Sequence, residues 1–162
     1  MSISLDDLKA LLAEDEVRYF LDPQQSAVLA LFGGNHGSYQ IVLAVELEGS
    51  FLQLKTIRYA QCPTTHPHCR AVLELLGDLN YSYRSTKFGW DPRDGEIVCF
   101  VDLWLEDATV TLAQLRSNLG ILLRTIDRAF YRISGIMTTG NDPGDPIPAQ
   151  PDASPAGDFD TV

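Results

Sequence analysis

Hydrophobic positions along the chain fall into blocks of two kinds, some recurring every three or four residues and others alternating one by one. Leu5, Leu8, Leu11 and Leu12 recur at helical spacing behind Ser4, with Asp7 three residues after that serine as a variant capping box, so a short helix is predicted over about residues 5–14. "VRYFLD" and "SAVLALF" are strand-like on either side of "PQQ", and "GGNHGS" (33–38) is rich in turn formers. "YQIVLAVELEGSFLQLKTIRY" reads as two long strands joined near residues 48–50. In the first of them Tyr39, Ile41, Leu43, Val45 and Leu47 share one face, and Val42 and Ala44 on the other are also apolar, so this strand is expected to be central and covered on both sides.

Farther on, Val72, Leu73, Leu75, Leu76 and Leu79 form a helical stripe expected to begin at Pro67, with Thr64 and Thr65 as candidate caps. "YRSTKFGWD" and "GEIVCFVDLWLED" flank the turn signal "PRDG" and read as a hairpin. On its second strand Ile97, Cys99, Val101, Leu103 and Leu105 alternate with Val98, Phe100, Asp102 and Trp104, which leaves both faces largely apolar. A last stripe through Leu112, Leu115, Leu119, Leu122, Leu123, Ile126, Phe130 and Ile133 predicts the longest helix, capped by Thr109 or Thr111. The expected order is helix, three to four antiparallel strands, helix, strand hairpin, long helix. That is an α+β sandwich of one sheet with helices packed on one face.

Composition divides the chain in two. With 162 residues and 45% hydrophobic content the chain is long enough for one domain with its own core. Past Met137 the pattern stops: the remaining segment has five of the nine prolines, five aspartates and neither Lys nor Arg. A folded domain over residues 1–137 and a disordered acidic, Pro-rich tail over 138–162 are therefore expected, because such a segment buries too little surface to offset its ordering entropy. Its terminal "FDTV" resembles a carboxylate-recognition peptide, although an ordinary frayed end explains it as well. The net charge of −10 disfavours a phosphate backbone as partner. No apolar run is long enough to span a membrane, and the acidic, amphipathic "MSISLDDLKALLAEDE" has no basic leader, which together read as a cytoplasmic protein. Three cysteines, an odd number, fit reduced thiols.

Candidate chemistry centres on "QCPTTHPHCR". Cys62, His66, His68 and Cys69 are zinc-ligand types, but structural zinc sites draw ligand pairs from separated segments, whereas these four lie within eight residues around Pro67, so no metal and no other cofactor is expected. Cys69, in the first turn of the predicted helix, is the candidate for a redox-sensing thiol, and the alternative to a binding function is a thiol redox or ligand sensor or a small enzyme using Cys69. The chain has no P-loop, no G-x-G-x-x-G and no G-x-S-x-G. Asp91 and Asp94 fit a turn, and no catalytic residue is assigned among Asp91, Asp94, Glu96 and Asp102. A binding surface has better candidates. Trp90, Phe100 and Trp104 lie on the hairpin, and Arg124, Arg128 and Arg132 form an i, i+4, i+8 ridge that could meet acidic residues of a partner or of the tail.

The run from "LLGDLNYSY" through "KFGWDPRDGEI" to "VDLWLEDATVTLAQL" and a long helix resembles the YbjN domain family, whose fold is similar to that of type III secretion chaperones of the Tir-chaperone type. The likeness spans about residues 5–135, with Leu79-Asn80, Phe88, Asp94-Gly95, Val101-Asp102 and Leu105-Glu106 as its best-fitting points. It implies a small cytoplasmic homodimer that binds a segment of another protein, as chaperone or regulator, and it implies no catalytic constellation.

Overall fold

The structure, a computed structural model, describes residues 2–22, 27–105 and 108–146. Helix α1 (Leu5–Glu14) opens with Ser4 and Asp7 in a reciprocal capping box and turns Leu8 and Leu12 into the core. Then come β1 (Tyr19–Asp22), β2 (Ala27–Gly33), β3 (Ser38–Glu46), β4 (Phe51–Ile57) and β5 (Ala60–Gln61). Helix α2 (Cys69–Ser82), strands β6 (Lys87–Trp90) and β7 (Glu96–Trp104), and helix α3 (Leu112–Thr139) complete the order. Thr111 is the cap of α3, in a capping box with Gln114, and it is the one of the two candidate threonines that fills this position.

All strand pairs are antiparallel. The sheet runs β1-β2-β3-β4-β7, with β6 on the far edge of β7. Strands β4 and β5 are one path along β7 interrupted by a bulge: Lys55 pairs with Phe100 and Ala60 with Ile97, so two extra residues are taken up around Arg58, whose φ is 51°. The Cys99 N–H that the bulge leaves without a strand partner donates to Thr56 Oγ1 at 2.8 Å. β3 is central, as expected, but only one of its faces is covered. Tyr39, Ile41 and Leu43 are buried, while Val42 and Ala44 stay half-exposed because the described helices all pack on the opposite side.

The core lies between that covered face and the helices. Val28, Ala30, Phe32, Ile41, Leu43, Leu52, Leu54, Ile97, Cys99 and Val101 meet Val72, Leu76, Leu79, Leu115, Leu122, Ile126 and Ile133. Two polar ties fix α3 to the sheet. The Tyr59 hydroxyl donates to the Ile126 carbonyl at 2.7 Å, and buried Asp127 accepts from the Tyr39 hydroxyl at 2.7 Å and from the His36 N–H at 2.9 Å. Burial, reinforced by the Asp127 carboxylate, pushes the Tyr39 hydroxyl far above its ordinary range, so it stays a donor.

Helix α2 begins two residues later than the pattern suggested. His68 holds the cap position without a side-chain bond, and Cys69 is the first helical residue, so neither Thr64, Thr65 nor Pro67 plays the expected part. The loop supplies its own bonds instead: the His66 N–H donates to the Pro63 carbonyl, the Cys69 N–H to the His66 carbonyl, and the His68 N–H to His66 Nδ1. At the other end, Met137 falls inside the last turn of α3, which closes at Gly140 with φ 80°. Residues 141–146 then fold back, placing Pro143 so near Gly135 that a Cβ there would come within 2.7 Å. The rest of the expected tail, 147–162 with its "FDTV", lies outside the described residues.

Candidate functional site

Strand alternation places every second side chain on the sheet face opposite the helices. The register turns these into rows. Phe20, Leu29, Val42, Lys55, Phe100 and Lys87 face one another in succession across six strands, a row about 24 Å wide at ~4.8 Å per strand. A parallel row joins Glu46, Phe51 and Trp104, and a third joins Leu31, Gln40 and Ile57. Leu29, Leu31, Val42, Ile57 and Phe100 are half-exposed, whereas Phe20 is 64% and Trp104 69% exposed. The Trp104 ring lies over Phe51 at 4.8 Å between centroids. Polar groups punctuate the surface: Gln53 Nε2–H donates to Asp102 at 2.8 Å, and Lys87 stands 3.9 Å from Asp102 and 6.0 Å above the Phe100 ring. Lys55, in the middle of the long row, makes no ion pair among the described residues. The face is thus a broad apolar platform with a cation near its centre.

The other candidates lie elsewhere. Trp90 shares a face with Ile97, and its Nε1–H donates to the Cys62 carbonyl at 2.9 Å, so it anchors the loop before α2 and is turned away from Phe100 and Trp104. The arginine ridge lies on the solvent side of α3, in the helix layer. Arg124 and Arg128 are exposed, while Arg132 is held between α2 and α3 by a forked pairing with both Asp142 carboxylate oxygens, with Asp78 at 4.0 Å and Asp145 at 3.8 Å. These carboxylates raise the Arg132 pKa, chiefly through the hydrogen bond to Asp142, and that bond holds the Asp142 carboxyl below its usual range. Arg132 and Asp142 border a cavity of about 290 Å³ that Leu75, Asp78 and Ile136 also line. Cys62, Cys69 and Cys99 are all free and buried. Among the described residues no group of three or more His, Cys, Asp or Glu side chains is placed to hold a metal ion, and no helix is long and apolar enough to cross a membrane.

Comparison with known proteins gives this arrangement a context. Residues 4–134 match the model of the YbjN family, described as "Putative bacterial sensory transduction regulator". The chain belongs to the YbjN family. Among solved structures it is similar to YbjN from E. coli, at 19% identity and a TM-score of 0.58 over 83% of this chain and 95% of that one. It is also similar to a chain of the HopA1-SchA chaperone-effector complex, at 12% identity and a TM-score of 0.51 over 74% and 86%. The heterodimeric ExoU-SpcU complex of the type III secretion system of Pseudomonas aeruginosa gives 18% identity and a TM-score of 0.50 over 75% and 93%. The YbjN domain therefore has here the α+β fold shared with secretion chaperones, as the resemblance implied. No curated protein sequence matches the chain significantly.

The structure explains why several YbjN-like positions recur together in this sequence. Asn80, on the last turns of α2, accepts from the Phe88 N–H at 2.7 Å and donates to the Phe88 carbonyl at 3.0 Å. One amide thus fills the outer edge of β6 and blocks further strand addition there. Asp94 accepts from the Glu96 N–H and Asp91 from the Arg93 N–H, which is the turn chemistry expected of them. Sequence reasoning passed over Lys55, Phe20 and Leu29, because only the pairing register brings them into one row with Phe100. The alternation of apolar and polar residues in "FLQLKTI" was the available signal.

Proposed function

We propose that this YbjN-family protein is a non-catalytic binding module of the cytoplasm, a chaperone-like or regulatory adaptor whose uncovered sheet face holds an extended apolar segment of another protein. The observation that carries this reading is the row Phe20–Leu29–Val42–Lys55–Phe100, apolar on both sides of one lysine and left exposed or half-exposed on a sheet whose other face carries the core. A large apolar surface rimmed by polar groups marks an interaction site. A segment of apolar residues with one carboxylate to meet Lys55 fits it best, because a buried lysine needs a partner. The module works as a homodimer joined through Trp104 and the row it shares with Phe51 and Glu46, leaving the row from Phe20 to Phe100 for the segment. Similarity to chains found in chaperone–effector complexes supports this use of the fold.

A photo-crosslinking side chain at position 42, compared with one at position 70 on exposed α2, tests the reading in a native extract. A discrete protein adduct from position 42 alone is expected, lost when Phe100 is changed to Asp. Adducts from position 70 alone, or saturable binding of a metabolite with no protein adduct, would overturn it.

A further inference from the structure

Gly135 stands inside α3, where a glycine weakens a helix relative to alanine. What it makes room for is a proline. The chain reverses at Gly140, and Pro143 then lies so close that a Cβ at position 135 would come within 2.7 Å of its ring Cδ and Cγ. Residues 141–146 are thus seated as a strap on the end of α3, beside the groove that α3 forms with α2. The strap delivers carboxylates to Arg132. That arginine is 14% exposed, whereas Asp142 and Asp145 are 34% and 61% exposed, so the cation belongs to the groove and the acids reach it from the solvent side. Arg132 Nε–H donates to the two Asp142 oxygens at 3.0 and 3.2 Å, and Asp142 also accepts from the Gly144 N–H at 2.9 Å, so the strap folds around this one side chain. On the α2 side Glu74 is paired with Arg70 at 2.9 Å, and Asp78 stands 4.0 Å from Arg132. Beside them the groove opens into the cavity of about 290 Å³, lined by Ala71, Leu75 and Ile136.

We propose that this α2–α3 groove is a second binding surface, for an acidic turn of a partner protein, and that residues 141–146 close it as an internal stand-in for that turn. The partner's turn places one carboxylate in the forked position on Arg132 and a second three residues later, at the spacing of Asp142 and Asp145. An apolar side chain beside them enters the cavity against Leu75 and Ile136, which the strap reaches only with Asp142 among the described residues. Exchange is feasible because ion pairs with acids this exposed hold the strap weakly. Arg132, already withdrawn from water, cannot be left without a carboxylate, so one acid leaves as another arrives. Attachment to the same chain gives the strap an effective concentration on the order of millimolar, which a free acidic segment has to overcome. Whatever frees the strap therefore raises the partner's apparent affinity, because the open fraction of the chain grows. The surface lies in the helix layer and does not depend on the sheet face or its occupant.

The probe is a labelled, end-blocked peptide of residues 140–146, GNDPGDP, titrated against the full chain by fluorescence anisotropy. A chain carrying Asp142→Ala and Asp145→Ala should bind it roughly tenfold or more tightly than the wild-type chain does, and adding Arg132→Gln should abolish binding. A peptide with Asn in place of both Asp residues should not bind. Equal binding by the wild-type and Ala-substituted chains would overturn the closure. No binding to the opened chain, or binding that survives Arg132→Gln, would overturn the site. Gly135→Ala keeps every charge and favours the helix, yet it should unseat Pro143 and speed hydrogen exchange at Arg132 Nε–H in the NMR spectrum. Unchanged exchange there would overturn the strap's seat, and this measurement decides alone if circular dichroism shows that the Ala-substituted chain does not fold.

Discussion

Trp104→Asp should separate association from folding. The side chain is 69% exposed, so folding buries the smaller part of it, chiefly against Phe51 at 4.8 Å. On a side chain of ~250 Å² that part is about 80 Å², worth at most ~2 kcal/mol at ~25 cal/mol per Å², and less against a realistic unfolded chain. The exposed remainder, about 170 Å², is what a second subunit would cover, and a two-fold interface uses it once from each copy. Central tryptophans typically lose at least ~2 kcal/mol of binding on truncation, and an introduced carboxylate adds a desolvation cost. A loss of about 3 kcal/mol corresponds to a dissociation constant weakened by roughly a hundredfold. Sedimentation velocity over the micromolar range should therefore show a dimer for the wild-type chain and a monomer for the variant. Urea unfolding should show a midpoint lowered by no more than about 1 M at unchanged slope. A variant that stays dimeric would move the interface to the helices. A monomeric wild-type chain at these concentrations would refute the homodimer, and a variant that unfolds as it dissociates would refute the separation of the two roles.

Asp127→Ala should cost about 2–5 kcal/mol in urea unfolding, because the Tyr39 hydroxyl and the His36 N–H both lose their acceptor in the core, whereas Asp127→Asn keeps the oxygen that accepts both and should cost under ~1 kcal/mol; equal losses would show that the charge and not the acceptor matters. Asn80→Ala uncovers the outer edge of β6 and should cost about 1–2 kcal/mol, with faster amide exchange at Phe88; unchanged exchange there would show that the edge is protected in another way. For the clasp at Arg132 the sign of the pH dependence follows from a depressed folded-state pKa: what the Asp142 pairing contributes is fully present above the ordinary carboxylate value of ~3.9 and is lost as pH falls through the lower folded value. An NMR titration of the Asp142 carboxyl should give a midpoint below that value, moving up to it in Arg132→Ala. The chain as purified should carry no zinc, and Cys62→Ser/Cys69→Ser should keep the fold; one zinc per chain by elemental analysis, lost in the double variant together with stability, would restore the metal reading.

Much of the architecture follows from periodicity alone. Helix α1 with its Ser4 box, the long helix behind Thr111, the β6–β7 hairpin around "PRDG" and the resemblance to the YbjN domain are all legible in the order of residues, because spacing and capping are local properties of the chain. The start of α2 was not. "TTHPHC" offers caps and a first-turn proline, but the loop satisfies its donors with its own carbonyls and the helix begins at Cys69. Apolar character on both faces of β3 and β7 likewise has two physical explanations, a second covering layer or an exposed face kept for a partner, and periodicity cannot choose between them. Only the tertiary packing does so, by placing the described helices on one side. The same holds for contacts between residues far apart or across a turn. That Trp90 faces inward and Trp104 outward is set by strand parity relative to the helix layer. That Lys55 stands beside Phe100 and Arg132 beside Asp142 depends on strand register and on a chain reversal after Gly140. The sequence alone determined the kinds of elements, which are local; the folded chain decided which surfaces remain open and which side chains meet, because those depend on pairings that close over long stretches of chain.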